Sequence, residues 1–380
     1  MKAAETRVLA ARLRNQWLDR TPRTAAAVVA QLCAMQAQDY IGAKWAVGLR
    51  GRGLDEAMVE AAFNDGAILR THVLRPTWHF VTPADIGWML SLTAPRVHQV
   101  SAFYYRQHGL DAKTLSRAHR VLASELAGGR FRTRTELAAA LAARGVEARG
   151  PRLGLLTIHA ELEQVMCSGP ARGKQLTYAL FDERAPSSGA RTPRDPGAEL
   201  AARYFASHGP ATLRDFVWWS GLTVAQARRG IESASPALAS RPIDGFTFWT
   251  SRWEGLPARM PAATFLLPNY DEYFIAYKDR HLARPAAGVD AGGIMQGADA
   301  FAHPLIVDGL LAGIWRRRVS GARTDVEIVA KVPLTTSQRR AVQDAAARLA
   351  TFSGPGLTTS TAPRLDARAP GRRTATTRTR

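Results

Sequence analysis

The chain has 380 residues, 46% of them hydrophobic and 22% charged, with a formal net charge of +19 and a pI near 10.9. That is enough apolar material for two or three compact domains with ordinary cores. The basic excess selects a polyanionic partner, nucleic acid before membrane. The two cysteines, Cys33 and Cys167, exclude a disulfide framework by count, and no run approaches the roughly 20 apolar residues of a membrane span. The charged N-terminus "MKAAETRVLAARLRNQWLDR" lacks the apolar stretch of a signal peptide. The expectation is a soluble, cytoplasmic, nucleoid-associated protein without metal or cofactor.

Along the chain, "TRVLAARLRNQW" spaces Val8, Leu9, Leu13 and Trp17 as one helical face. "TPRTAAAVVAQLCAMQ" opens with Thr21-Pro22, a cap followed by proline at the first helical position. A third helix, "LDEAMVEAAFNDG", stops at Gly66, and the β-branched, aromatic "ILRTHVLRPTWHFVT" reads as strand.

A second block repeats this order. "KTLSRAHRVLASELAGG" is a helix stopped by glycines. "FRTRTELAAALAARG" is another, capped at Thr133 or Thr135, and "RLGLLTIHAELEQVMCSG" is a third, ending at Gly169. A glycine-containing basic turn then leads into strand in "PARGKQLTYALFDER". Three helices and a hairpin with a basic tip make a winged helix, a helix-turn-helix variant. After the linker "RTPRDPGA", a third block gives helices in "AELAARYFASHG", "ATLRDFVWWSGL" and "TVAQARRGIESA", then the strand-like "IDGFTFWTS".

From Thr264 onward "TFLLPNYDEYFIAYKDR", "HPLIVDGLLAGIWRRRV" and "TDVEIVAKVPL" are β-rich, with Asp308-Gly309 as a hairpin turn. A helix, "TSQRRAVQDAAARLATF", follows. The last 17 residues hold six Arg and one Asp, a contribution of +5 that leaves +14 (19 − 5) for the rest. That tail has no apolar periodicity and is expected to be disordered. The fold class expected is α+β: three tandem winged-helix domains (1–108, 109–190, 196–258), a β-rich subdomain (259–353) and a disordered Arg/Thr-rich tail (354–380).

The common phosphate-binding, zinc-protease and serine-hydrolase signatures are absent. Three polar clusters remain. In "LCAMQAQDY", a continuing helix puts Gln36 on the buried face of Val28, Val29, Leu32 and Cys33 and turns Gln38 about 200° away. Both amides face one site only if the helix ends near Ala37. The simpler reading of the residues is one buried amide and one solvated amide. In "RTHVLRPTWHFVTPAD", strand alternation places Arg75, Thr77 and His79 on one face. That face suits phosphate, or caps neighbouring helices. In "LPNYDEYFIAYKDR" the acids and tyrosines read as an internal ion-pair network, and Trp218-Trp219 as core.

Together "LCAMQAQDY", "LRPTWHFVTPAD", "RDFVWWSGL" and "LLPNYDEYFIAYKDR", in this order across residues 5–350, resemble the winged-helix DNA-binding family that includes the AlkZ and YcaQ DNA glycosylases. The resemblance implies a catalytic Gln-apolar-Gln motif, here Gln36-Ala37-Gln38. It implies double-stranded, damaged DNA as partner and hydrolysis of the N-glycosidic bond of alkylated purines or bulky adducts, interstrand crosslinks included. Some relatives are known only as DNA binders, so a non-catalytic regulator or repair accessory is the alternative. Lys44 is the one lysine near the pair in sequence, so the expected reaction is monofunctional. Arg75, Thr77, His79 and the tip residues Arg172 and Lys174 are the expected DNA contacts. Tandem DNA-binding units in one chain point to a monomer.

Overall fold

The computed structural model describes residues 2–18, 21–283, 302–320, 323–354 and 357–360. Helix α1, Ala3–Asn15, buries Val8, Leu9 and Leu13 as its spacing requires. Helix α2, Ala25–Leu32, starts three residues later than expected. Thr24, not Thr21, is its cap and accepts the Ala27 N–H. The helix also ends early, at Leu32, because Cys33 takes a positive φ of 67°. The chain continues as a two-residue strand β1, Met35–Gln36, not as helix to Ala37. Helix α3, Tyr40–Arg50, has no counterpart in the sequence reading, whereas α4, Glu56–Asn64, does.

The expected single strand after α4 is a hairpin. Strand β2 (Leu69–Val73) and strand β3 (Thr77–Val81) flank a turn in which Leu74 has φ +65°. The sheet order is β1-β3-β2, all antiparallel. Helix α5, Pro83–Gln107, then carries the chain to a second group of helices.

That group is α6 (Ala112–Leu126), α7 (Arg134–Ala143) and α8 (Gly150–Leu162). Helix α7 opens on a Thr133–Glu136 capping box, as its sequence indicates. Helix α8 stops at Leu162, short of Gly169, because Gln164 takes a φ of +56°. Residues Met166–Ser168 become strand. Strands β4 (Arg132–Thr133), β5 (Met166–Ser168) and β6 (Thr177–Leu180) form a sheet in the order β4-β6-β5, and a four-residue α9 (Phe181–Arg184) follows.

The third group is α10 (Pro196–Ser207), α11 (Leu213–Ser220) and α12 (Val224–Ser233). The hairpin β7 (Ala239–Ile243) and β8 (Phe246–Thr250) completes it. Gly221, at φ +71°, ends α11. A Cβ there would lie 2.5 Å from the carbonyl oxygen of Leu74, so glycine is required for α11 to abut the β2–β3 turn.

Of "TFLLPNYDEYFIAYKDR" only Thr264–Leu266 is strand (β9). The acidic pair Asp271-Glu272 instead starts a short helix α13, Glu272–Ile275, capped by Asp271. Strands β10 (His303–Val307), β11 (Leu310–Ser320), β12 (Arg323–Ala330) and β13 (Leu357–Ser360) complete a five-stranded sheet ordered β13-β12-β11-β10-β9. The Asp308-Gly309 turn joins β10 to β11. Helix α14, Thr336–Ser353, lies between β12 and β13 in the chain. The tail expected from residue 354 therefore begins with a strand, residues 357–360 pairing parallel to β12. Residues 361–380 lie outside the described residues.

Three apolar cores hold the molecule. One joins α1–α4 to the five-stranded sheet and α14, so the C-terminal β-rich part shares its interior with the first helical group. The second joins β2, β3 and α5 to α10–α12. The third belongs to α6–α8. No helix among the described residues is long and apolar enough to cross a membrane.

Candidate active site

Met35–Gln36 is extended and paired with β3, and Gln38 lies in the bend that follows. Met35 (1% exposed) and Ala37 (0%) enter the core, while Gln36 (7%) and the exposed Gln38 turn to the other side. Both amides thus contact the β2–β3 hairpin, Gln36 through the Arg75 side chain and Gln38 through the Trp78 N–H. Register fixes the segment. Gln36 lies opposite His79, and the Ala37 N–H donates to the Trp78 carbonyl at 2.7 Å. The Arg70 Nε donates to the Ala37 carbonyl at 2.9 Å while its guanidinium covers the Trp78 ring.

Each side-chain amide is held at its oxygen. Arg75 Nη2 donates to Gln36 Oε1 at 2.9 Å, and the Trp78 N–H reaches Gln38 Oε1 at 3.4 Å. Arginine has no acceptor, so the orientation of the Gln36 amide follows from its partner. Among the described residues no hydrogen bond from either side-chain NH2 group is found.

Beneath Gln36 is a buried carboxylate. The Gln36 main-chain N–H donates to Glu272 Oε1 at 2.7 Å. Trp219 Nε1 donates to Glu272 Oε2 at 3.0 Å, and His208 Nε2 lies 3.3 Å from the same oxygen. Burial alone would raise this carboxyl's pKa. The His208 imidazole and the donated Gln36 N–H more than offset burial and hold it below the usual range. The neighbouring Asp271 forms a two-pronged pair with the buried Arg50 at 2.8 and 2.9 Å. This is the internal network expected of the acidic stretch, and it fixes α13 against α3.

Thr77 and His79 share the glutamine face, and Arg75 reaches it from the β2–β3 turn rather than from a strand. His79 is fully buried, so it is out of reach of a phosphate; its expected DNA contact is corrected on that ground. Its Nδ1–H donates to the Thr77 carbonyl at 2.9 Å, which makes Nε2 the acceptor. Burial, reinforced by Arg75, pushes its pKa down to about 3. The ring is neutral at pH 7. Among the described residues His79 Nε2, Thr77 Oγ1 and Arg75 Nε have no hydrogen-bond partner. This is unusual for buried polar atoms in a native site.

Lys44 is buried in a double ion pair, 2.7 Å from Glu56 and 2.5 Å from Glu60, and is not free to act as a nucleophile. Sequence distance hid another lysine. Exposed Lys278 covers the Trp218 ring at 4.6 Å, and Arg75 lies over the same ring at 5.2 Å. Trp218 is therefore only half-buried and belongs to the site's edge, whereas Trp219 is fully buried. Adjacent helical residues point about 100° apart, a signal that only one of the pair could be core. At the β5–β6 tip, exposed Arg172 is paired with Glu136 at 2.8 Å, and Lys174 projects from the same turn. The backbone N–H of Thr133, then Arg172, hold the Glu136 pKa down at about 2.

The family model for DNA glycosylase AlkZ-like proteins matches residues 29–352, most of the chain and all of this site. The chain belongs to the AlkZ-like DNA glycosylase family. It is an enzyme of that DNA-repair class, and the alternative of a binding protein without catalysis gives way. The glycosylase is 28% identical over 378 residues to the interstrand DNA cross-link repair glycosylase of Streptomyces sahachiroi, covering 93% of this chain and 98% of the relative. Its fold is similar to the solved structure of Streptomyces sahachiroi DNA glycosylase AlkZ. The TM-score is 0.79 at 23% identity, over 95% of this chain and 100% of that one.

Proposed function

We propose that the glycosylase hydrolyses the N-glycosidic bond of N7-alkylated purines in duplex DNA, bulky adducts and interstrand crosslinks included, with Gln36 and Gln38 orienting the water. The observation that carries this is the end of α2 at Leu32, after which the uncharged Gln36 and Gln38 both contact the β2–β3 hairpin through their side-chain oxygens. An N7-alkylated purine is already cationic. When its C1′–N9 bond breaks, the base keeps the electron pair and departs neutral, so no protonated acid is needed. Water bonds to C1′ and gives a proton to solvent, leaving an abasic site. The remaining task is placement, and correct positioning can lower a barrier by roughly 7–11 kcal/mol at best.

Arg75 brings a positive charge to this face, and the buried Glu272 carboxylate beneath Gln36 opposes it. His79 is kept neutral and adds no repelling charge, and the glutamines cannot neutralise the leaving base. With Lys44 locked in ion pairs and Lys278 over the Trp218 ring at the edge, the reaction is read as monofunctional. Lys278, Arg172 and Lys174 are read as phosphate contacts. The order of three helices and a hairpin in α2–α4, α6–α8 and α10–α12 supports the reading of three winged helices, and tandem units in one chain fit a monomer. The named crosslink activity of the Streptomyces sahachiroi relative supports extension to crosslinks.

The test uses one duplex carrying N7-methylguanine and a second carrying an N7–N7 guanine crosslink. Release of the methylated base and unhooking of the crosslink, with intact duplex untouched, are expected. Unchanged lesions in both would overturn the proposal.

A further inference from the structure

Away from the glutamines, at the edge of the third core, three histidines and a carboxylate converge from three helices: His98 of α5, His119 of α6, and His159 with Glu163 at the C-terminal end of α8. The ring centroids of His98 and His159 lie 4.6 Å apart, and those of His119 and His159 5.0 Å apart. One ligand-capable atom from each of His98, His159 and Glu163 falls within 4.8 Å of the other two. His159 and Glu163 are four residues apart, so they occupy one helical face.

The rings are held in the way metal-binding imidazoles are held. Tyr105 Oη contacts His98 Nδ1 at 3.1 Å, and His119 Nε2 contacts His159 Nδ1 at 3.1 Å. Such partners fix the tautomer and the ring plane and turn the other nitrogen outward. His98 Nε2 is buried and lies 2.9 Å from Glu163 Oε1, yet is out of line for a hydrogen bond with it. That buried nitrogen is engaged by Glu163 as an ion-pair contact and not a hydrogen bond, in a spot crowded with donor atoms. The position at the end of α8 adds the negative pole of the helix dipole, which favours a cation.

We propose that His98, His159 and Glu163 form a binding site for a divalent transition metal of the zinc class, with His119 and Tyr105 orienting the two imidazoles. Two nitrogens and one carboxylate oxygen match zinc in donor type. Metal–ligand bonds of about 2.0–2.2 Å put tetrahedral ligand atoms roughly 3.3 Å apart, so side-chain adjustments of about an ångström close the site. Glu163 has a side chain 49% exposed, so the site borders solvent. A metal there would tie α5, the last helix before the second group, to α8. The spacing 98, 119, 159 and 163 is too dispersed to register as a metal signature in the sequence.

The test titrates tag-free, full-length, chelator-treated protein with zinc chloride by calorimetry. Cobalt absorption is recorded in parallel as a report on coordination. One zinc per chain with micromolar or tighter affinity is expected, and His159→Ala should weaken it by tenfold or more. Glu163→Gln should do the same, and because Glu163 is half-exposed at a helix end, that variant keeps its circular dichroism. Absence of a stoichiometric site, or a site of unchanged affinity in folded Glu163→Gln, would overturn the proposal.

Discussion

Gln36 and Gln38 are tied to the protein through one oxygen lone pair each, and they do their proposed work with what is left. Removing either amide by Gln→Ala is expected to slow base release by about 10²-fold, the scale measured when one positioned donor is lost. Single-turnover rates with duplex affinity measured alongside check it, and an unchanged rate would exclude that side chain from the reaction. Arg75 acts through Gln36. Arg75→Lys keeps the charge but loses the planar fork, so it is expected to lower the rate without restoring the wild-type value, while binding is little changed. Lys278 offers a check on monofunctionality. Borohydride is expected to trap no covalent adduct, whereas an adduct lost in Lys278→Ala would show lyase chemistry at the Trp218 edge.

At the scale of elements, the ends of helices decided what could be read from the sequence. Helices closed by capping boxes and glycine stops were legible: α7 with Thr133 and Glu136, α12 with Thr223 and Gln226, α14 with Thr335 and Gln338. The misreadings cluster where Cys33, Leu74 and Gln164 take positive φ. Residues other than glycine rarely do so, and nothing local in the sequence announces it. Each hid a strand boundary, and the first of them hid the geometry that unites the two glutamines. Helix α3 was missed because Asp39 makes no capping hydrogen bond and buried Lys44 and Arg50 interrupt its apolar face. The partners of Gln36, Arg75 and Glu272, and the His208 beside Glu272 come from three distant segments, which no local pattern could join.

Two outcomes follow at this scale. Gly221→Ala places a methyl against the Leu74 carbonyl in a left-handed position. It is expected to cost about 1–3 kcal/mol and to reduce activity beyond the stability loss, by shifting the turn that carries Arg75. Denaturant melts together with base-release rates check this. His79 has a folded pKa of about 3 against 6.5 when exposed. The unfolded chain therefore binds the extra proton between those values, and the stabilisation present above pH 6.5 is lost as pH falls toward 3. The slope from this one group is about 1.4 kcal/mol per pH unit. The unfolding free-energy gap between wild type and His79→Gln should shrink across that window; parallel curves would show that His79 is not held neutral.

For the molecule as a whole, composition already pointed to a polyanionic partner, and the order of helices and strands to the α+β class. A chain bearing +19 that engages about six to ten phosphates should lose 10³–10⁵ in duplex affinity between 50 and 200 mM salt. Shared cores were not legible. The first helical group and the C-terminal sheet bury one interior, although composition divides them near residue 259. The most direct measurement of the central claim is chromatographic detection of free N7-methylguanine released from duplex DNA by wild type and by the Gln36→Ala/Gln38→Ala double variant. The expected result is stoichiometric release by wild type and none by a variant that still binds the duplex. Equal release by both would contradict the assignment of the two amides to catalysis.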